Sequence, residues 1–477
     1  MKYVLLLLAA LLALLVVMIA RTLAFKPKEM GQLGEESLDI DEKKAEDSLA
    51  QLVRIPTISS ADFEKTDKEV FIAYRKKLRE LYPLVTKNSD YSEHGNTGML
   101  FKIKGKSSAK PSVLMSHYDV VPVEEQRWQH PPFCGEIIDG ELWGRGTIDT
   151  KITMMGIMEA LESLLAVNFV PENDLYLSFS GDEEVAGISA PSVVEYMKAN
   201  NIAPALVLDE GGAVVSGVFP GVEKPIAVIG IGEKGMGRID FTAKSDGGHS
   251  STPPLVTAPG KLAQSIVKIE KKLFPAELTT PVKEMLMRVG PYAPFGLRLV
   301  FANLWFFKPL LTANIHRLGG ELNAMMRTTL AFTMLSGSKQ QNVLSNEAVA
   351  TANIRTINSQ TIEDVRSTVQ QYCHKDVTAE IVVASEASPY ASCEGESWDK
   401  IAAATASTWK DAIVSPYLMI AGSDSRHFSC ICKDVYKFSA MYLTKAQRGL
   451  IHNDDERVSV ENIHKAVEFF TRLIKTL

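Results

Sequence analysis

Five short segments place histidine or acidic side chains directly after an apolar run or beside a glycine-rich turn, where a strand gives way to a loop. Together they hold two histidines and several carboxylates, and none contains a cysteine. Nitrogen and oxygen donors of this kind suit two divalent zinc ions that share one bridging carboxylate. The segments are SHYD at 116–119, GTID at 146–149, GDEE at 181–184, LDE at 208–210 and IHN at 451–453.

A chain of 477 residues exceeds the length that one hydrophobic core usually serves, so we expect two domains. The formal net charge of −6 and the lack of a dense basic run argue against nucleic-acid binding. The five cysteines are scattered and odd in number, which does not predict a disulfide framework. One or two disulfides stay open for a lumenal protein.

The N-terminus carries an uninterrupted apolar stretch over residues 3–20, flanked by Lys2 and Arg21. This stretch is longer than the apolar core of a usual signal peptide and just long enough to span a bilayer. Residues 1–24 therefore predict a signal peptide or a retained anchor, and both interpretations stay open. Either one directs the chain into the secretory pathway, to be secreted or to be held on a membrane with its folded part lumenal or extracellular.

After the N-terminal region, strand-like runs alternate with helical patterns. The runs at 98–103, 112–115, 175–180 and 205–208 are typical of strands, and 151–167 and 190–200 of helices. This alternation predicts an α/β domain with a mostly parallel sheet. Ligands gather at the carboxyl ends of strands in such sheets, and the histidine and acid segments fall there.

The pattern changes near Lys234. Strand patterns at 236–243, 348–354 and 380–384 and helical ones at 259–273 and 361–373 predict a β-α-β-β-α-β unit, which is an inserted ferredoxin-like α+β domain. The predicted divisions are a linker at 25–42, the first domain at 43–235 and 388–477, and the inserted domain at 236–387 with an extra segment at about 275–340.

Each candidate residue admits a structural interpretation as well as a chemical one. His117 and Asp119 point the same way from a strand end, so Asp119 can fix the tautomer of a metal-binding His117 or merely bond to it. Asp149, at the mouth of a helix, can cap that helix or bridge two metals. Glu183 and Glu184 are more informative, because adjacent carboxylates repel each other without a nearby cation.

One acid of the Glu183–Glu184 pair can ligate a metal while the other takes a proton from water. Asp209 ends a buried-strand pattern and could equally be a solvated loop acid. His452 by itself would be an ordinary surface histidine. The occurrence of all these groups in one α/β chain favours a metallohydrolase.

Longer motifs around these residues resemble the di-zinc peptidase family that includes aminoacylase, glutamate carboxypeptidase and carboxypeptidase S. The likeness runs from about residue 45 to the end, and the motifs keep the family's order: SHYDVVP (116–122), WGRGTIDTK (143–151), DEE (182–184), DEGG (209–212), GGHSS (247–251) and GSDSRH (422–427). The resemblance implies two zinc ions. The ligands it implies are His117 and Asp209 on one zinc, Glu184 and His452 on the other, and Asp149 between the two.

The same resemblance implies further roles. Glu183 is the implied general base, and Asp119 is the implied partner of His117. In this family a histidine such as His249, in the inserted domain, reaches the active site of a partner subunit and stabilises the oxyanion. The inserted domain would then act as a lid and dimerisation domain of a homodimer.

Three residues are candidates for substrate contact. Arg355 can clamp a substrate carboxylate, because guanidinium binds carboxylate in a bidentate manner, or it can form a surface ion pair. Ser423 and Asn314 are further candidates within the resemblance.

One branch of the family, the N-fatty-acyl amino acid synthase/hydrolases, matches further stretches at 223–225 and 322–329. It implies N-fatty-acyl amino acids as substrates, cleaved or formed in reverse by mass action, and a role in lipid metabolism. A run rich in Leu, Phe and Trp at 299–311 could line an acyl site, touch a membrane or pack inside a domain or dimer. A carboxypeptidase or short-acyl aminoacylase is the alternative, and an inactive membrane-tethered binding protein on the same fold is a second one.

Overall fold

The computed structural model describes residues 1–28, 30–34, 40–272, 274–318 and 320–477. Elements are numbered along the chain. The helices are α1 (Lys2–Ala24), α2 (Glu42–Val53), α3 (Lys68–Leu81), α4 (Pro83–Asn88), α5 (Lys151–Ala166), α6 (Ser189–Ala199), α7 (Ala258–Glu270), α8 (Thr280–Val289), α9 (Phe295–Ala302), α10 (Leu304–Leu318), α11 (Gly320–Met325), α12 (Ile362–Gln370), α13 (Glu396–Thr408), α14 (Lys445–Arg448) and α15 (Val460–Ile474).

The strands follow the same numbering. They are β1 (Ser89–His94), β2 (Gly98–Ile103), β3 (Ser107–His117), β4 (Glu136–Ile138), β5 (Glu141–Trp143), β6 (Asn173–Ser180), β7 (Leu206–Asp209), β8 (Val214–Val215), β9 (Ile226–Glu233), β10 (Gly235–Lys244), β11 (Gly248–His249), β12 (Thr329–Ser336), β13 (Val343–Leu344), β14 (Glu347–Thr356), β15 (Val377–Ser385), β16 (Ile413–Met419), β17 (Val435–Lys437), β18 (Tyr442–Leu443) and β19 (Arg457–Ser459).

A ten-stranded mixed sheet forms the centre of the larger domain, in the order β1-β2-β6-β3-β7-β17-β9-β8-β18 with β16 paired to β9. β3 runs parallel to both β6 and β7, and β17 runs parallel to β7. Successive side chains of β3 enter opposite cores: Leu114 packs under α2, α5 and α15, whereas Val113 and Met115 pack under α6. Burial on both faces explains the continuous apolar run of this strand, and the α/β prediction with a mostly parallel sheet is confirmed.

The inserted domain is a four-stranded antiparallel sheet in the order β12-β14-β10-β15. Its chain order is β10-α7-β12-β14-α12-β15, the ferredoxin-like arrangement predicted from the sequence. Alternate residues of β10, Ile239, Phe241 and Ala243, face α7 and α12 in a separate core. We call this domain the lid; residue 273, at the end of the predicted 259–273 helix, lies outside the described residues.

Helices α8–α11 fall within the lid in sequence but pack on the larger domain. Val282 and Leu286 of α8 share a core with Ile413 and Leu418 of β16. The helical part ends at Met325, and β12, which lies inside the predicted 275–340 segment, belongs to the lid sheet. The sequence indicated an extra segment here, without indicating its secondary structure or which domain it covers.

The N-terminal helix α1 is long and apolar enough to cross a membrane and fits a signal sequence or an anchor. The predicted linker after it contacts the body of the protein, since the Leu33 N–H donates to Ser407 Oγ at 2.8 Å. Residues 29 and 35–39 of that linker lie outside the described residues. Asp41 then caps α2 by accepting the Lys44 N–H at 3.0 Å.

Candidate metal centre

Parallel pairing brings the carboxyl ends of β3, β6 and β7 to one edge of the central sheet. His117 ends β3 opposite Ser180, which ends β6, and Asp209 ends β7. A 3-10 turn, Glu183–Val185, follows β6 directly. The sheet thus brings together side chains that lie far apart in sequence, at the edge where ligands bind in α/β folds.

The Asp149 carboxylate lies between two histidines. Its Oδ1 is 2.9 Å from His117 Nε2, and its Oδ2 is 3.0 Å from His452 Nε2. His452 Nε2 also lies 3.1 Å from Glu184 Oε2. Donor atoms of His117, Asp149 and Glu184 all lie within 4.8 Å of one another, so they can surround a metal ion. A carboxylate with one oxygen toward each histidine fits a bridge between two cations, and the nitrogen and oxygen donors fit zinc.

The charges at this edge favour a cation. Hydrogen bonds to Asp149 and Glu184 raise the pKa of His452 to about 10. Burial lowers the pKa of His117, but hydrogen bonds to Asp119 and Asp149 outweigh it and raise that pKa well above its usual value. The carboxylates therefore favour positive charge at both histidines, and a divalent cation can supply that charge in place of protons.

Asp119 is fully buried and fixes the geometry around His117. His117 Nδ1 lies 3.1 Å from the Asp119 carbonyl oxygen and 3.3 Å from Asp119 Oδ1, while the other ring nitrogen of His117 faces Asp149. The Asp119 carboxylate accepts the N–H groups of Glu183 at 3.2 Å and Glu184 at 3.1 Å. Asp119 thus orients the histidine and anchors the acidic turn, the arrangement expected of a residue behind a metal ligand.

Glu183 lies at the start of the 3-10 turn and is partly buried. Burial raises its pKa well above the usual value, and the charges of Asp424, Glu210 and Asp119 act in the same direction, although His117 opposes them. A carboxylate whose pKa is raised toward neutrality can take a proton and return it. This environment fits the general base suggested by the sequence.

Asp209 is buried, and its carboxylate accepts two backbone N–H groups. Its Oδ2 accepts the Ser425 N–H and its Oδ1 accepts the Glu210 N–H, both at 2.9 Å. Glu210, which the sequence analysis did not single out, is partly buried, and burial and the charge of Asp149 raise its pKa well above the usual value. Asp209 stays a predicted ligand, and Glu210 is an alternative that the DEGG motif already contained.

Glu456 is a further residue that the sequence analysis missed. It is fully buried, and its carboxylate accepts Arg145 Nη1 at 2.7 Å, the Ile148 N–H at 2.7 Å and the Asp149 N–H at 3.2 Å. It therefore holds the loop that presents Asp149. The arginine inside the GRG motif was the available signal, because a buried guanidinium needs an acidic partner.

Ser423 lies within a buried polar cluster. Its Oγ donates to Glu233 Oε1 at 2.9 Å and its N–H to Glu233 Oε2 at 3.1 Å. Lys437 Nζ lies 3.4 Å from the same Glu233 carboxylate. These bonds occupy the hydroxyl inside the protein and support a structural role for Ser423; its predicted substrate contact has no support in this geometry.

Arg355 lies on β14, near the junction between the lid and the larger domain. Burial and the nearby charge of Arg426 lower its pKa. Its Nε donates to Asn353 Oδ1 at 3.3 Å. The positive charges of two guanidinium groups from different domains thus oppose each other, and an anion bound by both would relieve this repulsion.

The other two predicted site residues lie apart from the metal centre. His249 is exposed on the short β11–β13 ribbon of the lid, and its Nδ1 is 2.8 Å from Ser251 Oγ. Asn314 lies on α10 and donates its amide to the Leu310 carbonyl of the same helix at 2.9 Å. Their roles stay predictions.

A mostly apolar cavity of about 430 Å³ has none of the proposed ligands in its lining but includes residues next to two of them in sequence. Gly211, which follows Glu210, and Ile451, which precedes His452, line one end. Met285 of α8 and Leu322 of α11 line the cavity as well, so it extends from the sheet edge to the added helices. A larger cavity of about 860 Å³ has a polar lining in the lid and includes none of the metal-centre residues.

The fold and this site define a metallohydrolase of the aminoacylase and metallocarboxypeptidase type. The model of "Peptidase family M20/M25/M40" matches residues 113–476. The chain belongs to this family, whose members depend on a metal, and the inactive binding protein considered from the sequence loses its support.

Relatives and solved structures agree with this assignment. The N-fatty-acyl-amino acid synthase/hydrolase PM20D1 of Xenopus tropicalis is 32% identical over 448 residues, covering 92% of this chain and 87% of that protein. The probable carboxypeptidase S-like 2 of Dictyostelium discoideum is 32% identical over 480 residues, covering 98% and 92%. The M20 family metallo-carboxypeptidase Sso-CP2 of Sulfolobus solfataricus has the same fold, with a TM-score of 0.65 at 17% identity over 91% of this chain and 98% of that one.

Proposed function

We propose that the protein cleaves the amide bond of N-fatty-acyl amino acids and can form the same bond in reverse by mass action. The observation that supports the substrate class is the apolar cavity whose lining includes Gly211 and Ile451, the sequence neighbours of Glu210 and His452. Its volume of about 430 Å³ falls in the range of small-molecule sites. Each methylene buried there contributes about 0.8 kcal/mol, so a long acyl chain gains more than an acetyl group.

We propose two zinc ions as the cofactors. His117 would hold one ion, Glu184 and His452 the other, and Asp149 both, with Asp209 or Glu210 as the remaining oxygen ligand. When bound, the metal supplies Lewis-acid chemistry and lowers the pKa of water.

The residues of this chain then supply the proton transfer. Glu183 takes a proton from the attacking water and delivers it to the nitrogen of the leaving amino acid, which leaves as a neutral amine. The Asp119 carboxylate accepts the backbone N–H of Glu183 and so keeps Glu183 in place. Asp119 also keeps the His117 ring oriented. Arg355 and Arg426 would hold the carboxylate of the amino acid at the lid junction.

A carboxypeptidase is the second candidate, supported by the similarity to carboxypeptidase S-like proteins. A peptide's terminal carboxylate would use the same pair of arginines, so this part of the site does not separate the two substrates. The apolar cavity separates the two substrates, because a single peptide residue leaves most of its volume unfilled. A short-acyl aminoacylase would likewise leave it unfilled.

The test measures release of phenylalanine from its long-acyl, acetyl and glycyl conjugates by the zinc-loaded full chain. We expect kcat/KM to be highest for the long-acyl conjugate. Equal or higher kcat/KM for the glycyl or acetyl conjugate would contradict the fatty-acyl substrate and favour the alternatives.

Glu183→Gln tests the base. It should lower kcat by about 10²–10⁴-fold while metal content stays unchanged. Glu195→Gln, an exposed glutamate on α6, is the matched control and should leave kcat unaltered. Full activity of Glu183→Gln would refute the assignment of the base.

A further inference from the structure

The end of α1 is joined to the added helices by buried, directional hydrogen bonds. Asn303, between α9 and α10, has no exposed surface, and its Nδ2 donates to the Met18 carbonyl of α1 at 3.1 Å. Thr22 Oγ1 accepts from the same amide at 3.3 Å, and Arg21 Nε donates to the Ala302 carbonyl at 3.4 Å. The Asn303 amide also donates to the Leu299 carbonyl at 2.9 Å, so the bonds to α1 add to a contact that α9 already makes. Each such hydrogen bond contributes about 0.5–1.5 kcal/mol, which favours α1 as a part of the folded protein.

The length of α1 sets where a membrane would lie. A hydrocarbon core about 30 Å thick takes about 20 helical residues. Counted from Tyr3, the first residue after the charged Lys2, such a span ends near Thr22. Thr22 is the residue that contacts Asn303. A membrane crossed by α1 therefore has its surface at the level of α9 and α10.

The surface of α9 and α10 matches this position. Large apolar side chains are exposed there: Phe295 by 49%, Trp305 by 56%, Phe306 by 45% and Leu310 by 61%. Tryptophan is enriched at membrane interfaces because its ring is apolar and its N–H is polar, and Phe and Leu form the apolar face of helices that lie there.

The same region contains basic residues and lacks acidic ones. Although the whole chain has a net charge of −6, residues 285–320 contain no aspartate or glutamate, and neither do residues 1–28. The basic residues in these two stretches include Lys26, Arg298 and Lys308. Basic groups beside exposed apolar ones suit a lipid surface with anionic headgroups.

We propose that α1 is retained as a membrane anchor and that α9 and α10 lie in the interface of the same bilayer. We call residues 18–28 together with α9 and α10 the membrane platform. Trp305, Phe306 and Leu310 enter the lipid, and the basic groups face phosphate headgroups. The larger domain is thus held against the membrane in one orientation, and this inference does not depend on the substrate.

Tryptophan fluorescence can test the platform directly. Of the five tryptophans, Trp128, Trp143 and Trp398 are buried and Trp409 is partly buried, so Trp305 is the exposed one. The full chain is reconstituted in vesicles of phosphatidylcholine and phosphatidylserine that carry lipids brominated at a shallow or a deep acyl position. The contribution of Trp305 is the difference between the emission of the wild type and that of Trp305→Phe. We expect this contribution to be quenched, and more strongly by the shallow bromines than by the deep ones.

The matched control moves the probe to another part of the surface. Val167, at the end of α5, is 73% exposed, and Val167→Trp in the Trp305→Phe background should show no quenching. Unquenched Trp305 emission would overturn the proposal. A concentration-dependent blue shift without quenching would overturn it too and assign this surface to a second copy. The mass of the protein made in a secretory host must include residues 1–24; an N-terminus beyond residue 24 would refute the retained anchor.

Discussion

The edge of the central sheet and the helices α8–α11 hold their side chains by opposite means. At the sheet edge, buried acids are held by defined donors, as Glu456 is by Arg145 and two backbone N–H groups. In α8–α11, aliphatic and aromatic side chains pack against β16 and against one another. Directional bonds fix atoms in place, whereas apolar contacts tolerate a change of shape.

This difference assigns separate tasks to the two regions. Proton transfer and metal binding need fixed distances, and those distances are set at the sheet edge. Under the proposed function, selection among acyl chains would need only volume and apolar surface, which the cavity under α8 and α11 offers. Substitutions at the edge should therefore affect every substrate, and substitutions in the helices only some.

The largest effect should come from Asp149→Ala. Its carboxylate contacts both His117 and His452, so its loss removes the ligand that the two proposed zinc ions would share. We expect turnover of every substrate to fall on the order of 10⁴-fold and bound metal, measured by elemental analysis, to fall with it. The exposed Asp90→Ala is the control. Retention of two metals by the Asp149 variant would contradict the bridge.

A smaller difference should separate Glu210→Gln from Asp209→Asn. If Glu210 is the ligand, its substitution should release one metal, while Asp209→Asn should keep both and lower kcat about 10–100-fold through displaced backbone contacts. Metal content and kcat measured on both variants decide between the two acids. The reverse pattern would restore Asp209 as the ligand.

The sequence predicts the sheet edge better than it predicts the choice between neighbours. His117, Glu183 and Glu184 follow apolar runs, and parallel strands must end together, so their convergence could be predicted. Whether Asp209 or Glu210 faces the metal depends on one backbone turn after β7. No periodicity reveals that turn.

Two other features could not be predicted from the sequence, for related reasons. The run rich in Leu, Phe and Trp at 299–311 was apparent in the sequence, but an apolar run does not specify which surface covers it. Ser423 lay in a motif typical of a site, yet its hydroxyl is engaged by Glu233, which comes from a distant strand. Long-range partners of this kind become visible only when the chain is folded.

In the cavity, Leu322→Trp should affect substrates unequally. Leu322 lines the cavity from α11, and a larger side chain there takes up space for the acyl chain. We expect kcat/KM for the long-acyl conjugate to fall about tenfold or more, with the acetyl conjugate unaffected. Val167→Trp, which adds the same ring on the exposed surface, is the control. An equal loss on both conjugates would show that the two regions are not separable.

Lys234 joins the two regions and should show a pH effect on stability alone. It is buried at the end of β9, and its Nζ donates to the carbonyls of Ala324 and Arg327 at 2.8 Å each. Burial and the charge of Arg355 lower its pKa to about 7. Between that value and about 10.4, the usual lysine pKa, the unfolded chain binds a proton that the folded chain does not.

The free energy of unfolding should therefore decrease as the pH falls from 9.5 to 7.5, by about 1 kcal/mol per pH unit from this group. Urea denaturation at both pH values should show that decrease in the wild type and in the exposed-site control Lys110→Met, and a smaller one in Lys234→Met. If all three proteins lose equal stability over this range, Lys234 is charged in the folded state and the junction is more polar than its burial indicates.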